Sequence, residues 1–425
     1  MVVVFGKGKT GEAVKRFLDS KGVKNILVDD EDRFRLDRKV EEIVISPGVP
    51  FFHNIYKEAK KLNIPVISEI ELADRFYKGR KIAITGTDGK TTTTSLIYHI
   101  LKDITNTFVG GNYGIPFADI VDKTDENSTA VLELSSFQLY SCKNFKPEIA
   151  VILNISKDHL DWHKKMCHYI LSKYKITKNQ TDKDFLILNY DDQVVKNLRS
   201  KADTYYFSLK QIPENLKGIY MKEYIKSDIN KARFVLQKDE KIEFTVKTKL
   251  IGLHNIQNIM ASILATYLYG LKIEDIIEKI ESFEPLPHRI EFVKEIEGVK
   301  FYNDSKATTV QAVKRALESF DRGIILILGG INKGGDFSIL GEILKERVKK
   351  VFIIGRDRDQ IEEMIKPFCE TEKVNSLEEA VKKSFKSAEN GDTVLLSPGC
   401  ASFDMFKSYV DRGNQFKDIV RKLNG

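Results

Sequence analysis

Short apolar runs alternate with amphipathic stretches along most of the chain. "MVVVF", "NILVDD", "EEIVISPG" and "IPVIS" read as buried strands, and "GEAVKRFLDSKG" between the first two reads as a helix closed by Gly22. The lysine-rich "YKGRK" then reads as a linker. A second block opens with strand "KIAIT", turns through "GTDGKT" and enters helix "TTTSLIYHILKD". Strands "TAVLELS", "IAVILN" and "FLILN" follow, with a helix near 166–180 and a β-rich stretch near 203–250. Helix "NIQNIMASILATYLYG" closes this block. After the proline cluster in "EPLPHR", strands "VKFYND", "IILILGG", "KVFIIG" and "TVLLSPG" alternate with helices near 307–320, 338–349, 358–366 and 377–389. This βα alternation predicts an α/β chain of three domains, at 1–79, 80–285 and 286–425, each built on a largely parallel sheet.

Composition changes this picture little. At 425 residues and 42% hydrophobic the chain reads as globular, and no apolar run reaches the roughly 20 residues of a membrane span. The start passes straight into a strand without a signal-peptide pattern, so the expected location is cytoplasmic. Four dispersed cysteines form no C-x-x-C pair and fit a reducing compartment. The net charge of +7 is spread among nearly as many acids, which argues against nucleic acid as a partner.

The chemistry sits at strand ends. Gly86, Thr87, Asp88, Gly89, Lys90, Thr91 and Thr92 lie between a buried strand and a helix, where backbone N–H groups curl around phosphate. Lys90 would meet the β- and γ-phosphates, and a Thr91 or Thr92 hydroxyl would ligate Mg²⁺. The loop is a shortened P-loop, with two residues rather than four between its glycines. A capped Gly-rich turn without ligand is the plain alternative. Gly6, Gly8 and Gly11, with Asp29 ending the next strand, form a dinucleotide fingerprint that suits NAD or the diphosphate of UDP. Glu133 ends a strand like an acid held against a metal, and "NISKDHLDWH" offers Asp158, His159, Asp161 and His163.

The ordered series "TGTDGKTTT", "VGGNYG", "LELSSFQL", "NISKDHLDWH", "GLHNIQN", "LPHR" and "NDSKATT" resembles the motifs of the Mur ligases, which build the peptidoglycan stem peptide. "LLSPGCASFDMFKSYVDRGNQF" is most similar to the member that adds D-glutamate to UDP-N-acetylmuramoyl-L-alanine. The resemblance implies an N-terminal Rossmann-like UDP-binding unit, a central P-loop ATPase-like unit and a C-terminal Rossmann-like unit. It also implies ATP as co-substrate, two Mg²⁺ ions, an acyl-phosphate intermediate and a monomeric enzyme. Carried onto this chain, Thr91 and Glu133 would hold one Mg²⁺ and His159 a second, beside a carbamylated Lys173, with Lys175 as the other possible register. Asn112 would contact substrate, and Asn255 and Asn258 the adenine side of ATP. Arg289 and Asp304 would close on ATP, and Lys306 would meet the phosphoryl group or glutamate. Thr308, Lys333, Ser402, Phe403 and Tyr409 would form the D-glutamate pocket. Lys9, Thr10, Asp29, Ser46 and Gly48 would line the UDP site. Three positions depart from the family pattern: Lys9 replaces an apolar residue, Tyr409 the common phenylalanine and Gly399 the common alanine. Rival readings are a sister amino-acid-adding ligase or folylpolyglutamate synthetase, an NAD-dependent oxidoreductase, and a nucleotide-binding regulatory module without ligase activity.

Overall fold

A computed structural model describes residues 1–32, 34–227 and 229–423. The chain divides into two compact units, one of Met1–Thr248 with Asn255–Phe283, the other of Lys249–His254 with the chain from Glu284 onward.

The first unit holds two sheets. The smaller has four parallel strands, ordered Asn25–Val28, Val2–Phe5, Glu42–Ile45 and Val66–Ser68, matching the four apolar runs at the start of the chain. The larger has nine strands. Its parallel part runs Thr107–Gly111, Thr129–Glu133, Arg80–Thr85, Ile149–Ile152, Phe185–Asn189, Asp203–Ser208 and Gly218–Ile225. Asn230–Gln237 and Lys241–Thr248 extend it as antiparallel strands, so the stretch near 203–250 is β-structure as expected. One apolar core continues from the small sheet into the large one, joining Val4, Val14 and Ile70 to Phe117, Leu132 and Ile152. Polar joints run through the same contact. The Glu71 carboxylate accepts from the backbone N–H groups of Lys143, Asn144 and Phe145, and Glu69 from that of Ala118. Desolvation pushes the Glu69 carboxyl up to about 7.

The second unit is a six-stranded sheet, ordered Glu291–Ile296, Val299–Asn303, Thr393–Leu396, Ile324–Gly329, Val348–Ile354 and Glu370–Lys373, with only the first strand antiparallel. Apolar clusters cover both faces, as a parallel sheet requires. The expected helices are present but shorter. The first begins at Val310 because the Thr309 hydroxyl caps it, and the second is a 3₁₀ turn followed by Gly341–Arg347, since Val348 already belongs to a strand. In the first unit the helix near 166–180 is Met166–Tyr174 and tightens to 3₁₀ at Lys175–Thr177. Among the described residues, no helix is long and apolar enough to cross a membrane.

Candidate functional site

Strand Arg80–Thr85 sits between Thr129–Glu133 and Ile149–Ile152, so the loops leaving all three lie side by side at their carboxyl ends. Sheets of this kind bind ligands there. The loop after the first strand turns through Gly86 (φ +154°) and Gly89 (φ +81°) before helix Lys90–Leu101 begins. A Cβ on Gly89 would stand 2.3 Å from the Asn258 Oδ1, so that position accepts only glycine without rearrangement.

Two lysines converge on this loop. Lys90 folds back to donate to the Gly86 carbonyl at 2.8 Å and the Thr87 carbonyl at 2.7 Å. Lys173, from the last turn of helix Met166–Tyr174, donates to the same Gly86 carbonyl at 2.6 Å and is 2% exposed. Burial, reinforced by the nearby Lys90 charge, holds the Lys173 amine well below the usual lysine range. Lys175, the alternative register, instead donates to the Tyr140 carbonyl.

Asn154, which the motif reading passed over, fixes the loop's shape. Its Oδ1 accepts from the Asp88 N–H at 2.9 Å, its Nδ2 donates to the Asp88 carbonyl, and its own carbonyl accepts from the Thr87 N–H. The available signal was an amide at the exit of the strand beside a phosphate loop. The Thr87 hydroxyl pairs with Tyr169 Oη at 3.0 Å and accepts from the Ser156 N–H, tying the loop to the "NISKDH" segment.

Glu133 closes its strand opposite Ile84 in register and is 2% exposed. Its Oε1 accepts from the Asn112 amide at 2.6 Å, while its Oε2 is buried and has no hydrogen-bond partner among the described residues. A buried, unpaired carboxylate oxygen is costly unless a cation meets it, so the donor set fits Mg²⁺. Among the described residues no three His, Cys, Asp or Glu side chains gather as a ready metal cage. That suits an ion which takes few protein ligands and completes its shell from phosphate and water. Of the two histidines in "DHLDWH", His159 is half exposed, left-handed at φ +53°, and lies 3.3 Å from Asp158. His163 is fully buried, bonded through Nε2 to the Ser136 hydroxyl, and pushed down to about 4 by desolvation and then by the His159 charge. His159 is therefore the accessible imidazole and His163 a packed one. Thr91 is partly buried and Thr92 buried in the first helical turn. Asn255 and Asn258 bond to each other at 3.0 Å, and the Thr93 hydroxyl donates to Asn258 at 3.3 Å, which sets this pair beside the phosphate loop.

The fingerprint glycines lie at the carboxyl end of the small sheet. Ser46 Oγ donates to the Gly6 carbonyl at 3.0 Å, Gly8 caps helix Lys9–Ser20, and Gly48 lies in the turn after strand Glu42–Ile45. Lys9 donates to the Gly114 carbonyl, Thr10 follows it in the helix, and Asp29 lies 3.7 Å from Lys7. His53, also missed, adds an imidazole 2.8 Å from Asp30 at this end.

In the second unit, the loops after adjacent strands Val299–Asn303 and Thr393–Leu396 carry Asp304, Lys306 and Thr308 on one and Ser402 and Phe403 on the other, and they touch where the Gly399 N–H donates to the Ala307 carbonyl. Asp304 accepts from the Ser397 hydroxyl at 2.9 Å and the Ile290 N–H, next to Arg289, and desolvation pushes its carboxyl up to about 7. The Lys306 ammonium lies 3.9 Å from the centre of the Tyr409 ring. Ser402 is buried, whereas Phe403 is 70% exposed. Lys333 is exposed on the loop after Ile324–Gly329, which Ile331 and Ala401 join to the Ser402 loop by paired backbone bonds.

The sequence model of the Mur ligase middle domain matches residues 84–266, and that of the Mur ligase glutamate ligase domain matches residues 288–400. The UDP-N-acetylmuramoylalanine–D-glutamate ligases of Hydrogenobaculum sp. and Aquifex aeolicus are 43% and 42% identical to the chain. Those alignments cover 99% and 98% of it and 98% of each relative. Among solved structures, the MurF ligase of Thermotoga maritima in complex with ADP superposes with a TM-score of 0.69 at 21% identity, covering 99% of this chain and 95% of that one. The UDP-N-acetylmuramate–alanine ligase MurC of the same organism superposes with a TM-score of 0.64 at 19% identity, covering 99% of both chains. At such identities the structures establish a shared fold.

Proposed function

Because the chain belongs to the Mur ligase family, we propose that it uses ATP to add D-glutamate to UDP-N-acetylmuramoyl-L-alanine during peptidoglycan precursor synthesis. The observation that carries this reading is the convergence of Lys90 and Lys173 on the Gly86 carbonyl at the carboxyl end of the central strand. Lys90 supplies positive charge where a nucleotide's phosphates would lie, and Lys173 is the buried neighbour that a carbamate would turn into an anion.

A carboxylate is a poor electrophile. Transfer of the γ-phosphoryl group of ATP to the carboxylate of the alanyl substrate forms a C–O–P linkage and releases ADP. The D-glutamate amine then attacks the carbonyl carbon, a C–N bond forms, the C–O bond breaks, and phosphate leaves with the proton shed by the amine. The chain's part is to position and to neutralise charge. Residues 86–92 cradle the phosphates, Lys90 offsets their charge, and Asn112 orients the substrate near Glu133. Thr91 and Glu133 would hold one Mg²⁺, and His159 with carbamylated Lys173 a second. Bound Mg²⁺ supplies neutralisation of the crowded phosphate and carboxylate oxygens. Asn255, Asn258, Arg289 and Asp304 are assigned to ATP, Lys306 to the phosphoryl group or glutamate, and Thr308, Lys333, Ser402, Phe403 and Tyr409 to D-glutamate. Lys9, Thr10, Asp29, Ser46 and Gly48 are assigned to UDP. On this reading 1–79, 80–285 and 286–425 serve UDP, ATP and the incoming amino acid in turn, in a monomeric cytoplasmic enzyme.

Phosphate release should require ATP, Mg²⁺, the UDP-sugar and D-glutamate together. Measured across a panel of amino acids, it is expected to be fastest with D-glutamate. Equal turnover with L-lysine or meso-diaminopimelate would overturn the substrate assignment.

A further inference from the structure

Arg412 is fully buried, the fourth residue of helix Tyr409–Lys422, and among the described residues no carboxylate lies at ion-pair distance from it. Its guanidinium is spent on two loops. Nε donates to the Ser305 hydroxyl at 2.9 Å, Nη2 to the Ser305 carbonyl at 2.9 Å and the Cys400 carbonyl at 3.2 Å, and Nη1 to the Cys400 carbonyl at 3.2 Å. The same Ser305 hydroxyl donates to the Tyr409 carbonyl at 2.8 Å, and the Tyr409 ring carries the Lys306 ammonium. The Gly399 N–H donates to the Ala307 carbonyl at 2.9 Å, so the two loops also touch directly.

Asp404 and Asp304 attract this cation only from beyond ion-pair distance, and a buried cation so placed is a poor device for stability, since an apolar side chain of similar volume usually serves as well or better. What the guanidinium offers is a rigid planar fork that can bond two backbones at once, which a lysine ammonium cannot reproduce. One of those backbones leads from Ser305 in one and three residues to Lys306 and Thr308, the other from Cys400 in two and three residues to Ser402 and Phe403.

We propose that Arg412 is a positioning residue for the amino-acid substrate, setting the spacing between loops 304–308 and 399–403 so that both engage one bound amino acid. The proposal rests on the reading that these loops take the incoming amino acid. Arg412 itself touches no reacting atom. It acts through Ser305 and Cys400, whereas Asp304, assigned to ATP, is held separately by the Ser397 hydroxyl and the Ile290 N–H, so the loss of Arg412 should appear in the affinity for the amino acid far more than in that for ATP.

The test is steady-state kinetics on Arg412→Lys and Ser305→Ala in the full-length chain, with folding checked by circular dichroism. Arg412→Lys keeps the charge and loses the fork. It is expected to raise KM for the amino acid about tenfold, the loss of one or two charge-assisted hydrogen bonds, while KM for ATP stays within about twofold. Ser305→Ala removes only the Nε acceptor and the bond to Tyr409, and is expected to raise the amino-acid KM about threefold. An unchanged amino-acid KM in folded Arg412→Lys, or equal rises in both KM values, would overturn the proposal. If Arg412→Lys does not fold, the Ser305→Ala ratio decides alone by the same criterion. The KM compared is that of whichever amino acid the wild-type chain joins, so a failed D-glutamate assignment changes the substrate used and leaves this test standing.

Discussion

Lys90→Ala is expected to lower the rate of phosphate release by about a thousandfold while the chain stays folded. The Lys90 ammonium is held by the Gly86 and Thr87 carbonyls, at the first position of a helix whose N–H groups already favour an anion. Those carbonyls fix the ammonium at the loop, where a phosphoryl group in flight would meet it. Removing it takes away an interaction that strengthens as charge develops, and kcat should fall more than KM for ATP rises. The fold should survive because Asn154, Lys173 and the two glycines also hold the loop's shape. Stopped-assay phosphate measurements with a thermal melt check both halves. Near-normal turnover would show that the loop does not hold ATP phosphates.

Lys173→Ala is expected to lose about two orders of magnitude in rate, and acetate is expected to restore part of it. Lys173 is 2% exposed, and burial together with Lys90 depresses its amine pKa, which favours the neutral form able to attack CO₂. In that reaction an N–C bond forms and a proton leaves, turning a would-be cation into an anion beside the phosphate loop. A protonated lysine there would repel bound cations, whereas a carbamate attracts them. Acetate can occupy the space the truncated side chain vacates and replace the lost negative charge. A carbamate resonance from protein equilibrated with ¹³C-bicarbonate should be present in the wild type and absent in the variant. Full activity of Lys173→Ala without acetate would remove the residue from the mechanism.

Much of the fold was legible because buried parallel strands are apolar along most of their length and end in glycine or polar turns. The strands at Val2–Phe5, Arg80–Thr85, Ile149–Ile152 and Ile324–Gly329 all lie where such runs stand in the sequence. Edge strands escaped for the opposite reason. Glu370–Lys373 has no apolar residue, and its charges are paired across the surface with Lys350 and Asp359. Glu291–Ile296 is half exposed, yet a usable signal was present: Glu297 and Gly298, both at positive φ, form the two-residue turn of a hairpin with Val299–Asn303.

The site divides in the same way. The phosphate loop is local, so its glycines, lysine and threonines declare themselves within a few positions. Asn154 and Arg412 act on partners 66 and 107 residues away, and nothing in their immediate neighbours marks them. The choice between His159 and His163 likewise depends on which ring the fold buries, and adjacent residues in one short motif carry no such information.

In the proposed mechanism the energy of ATP passes through the substrate's own carboxylate. The most direct test of this step uses UDP-N-acetylmuramoyl-L-alanine labelled with ¹⁸O in the alanyl carboxyl group, with mass spectrometry of the released phosphate. The predicted result is that each phosphate carries one labelled oxygen, because the C–O bond of the acyl phosphate breaks when the amine attacks. Phosphate released without label, at a rate matching product formation, would contradict the account.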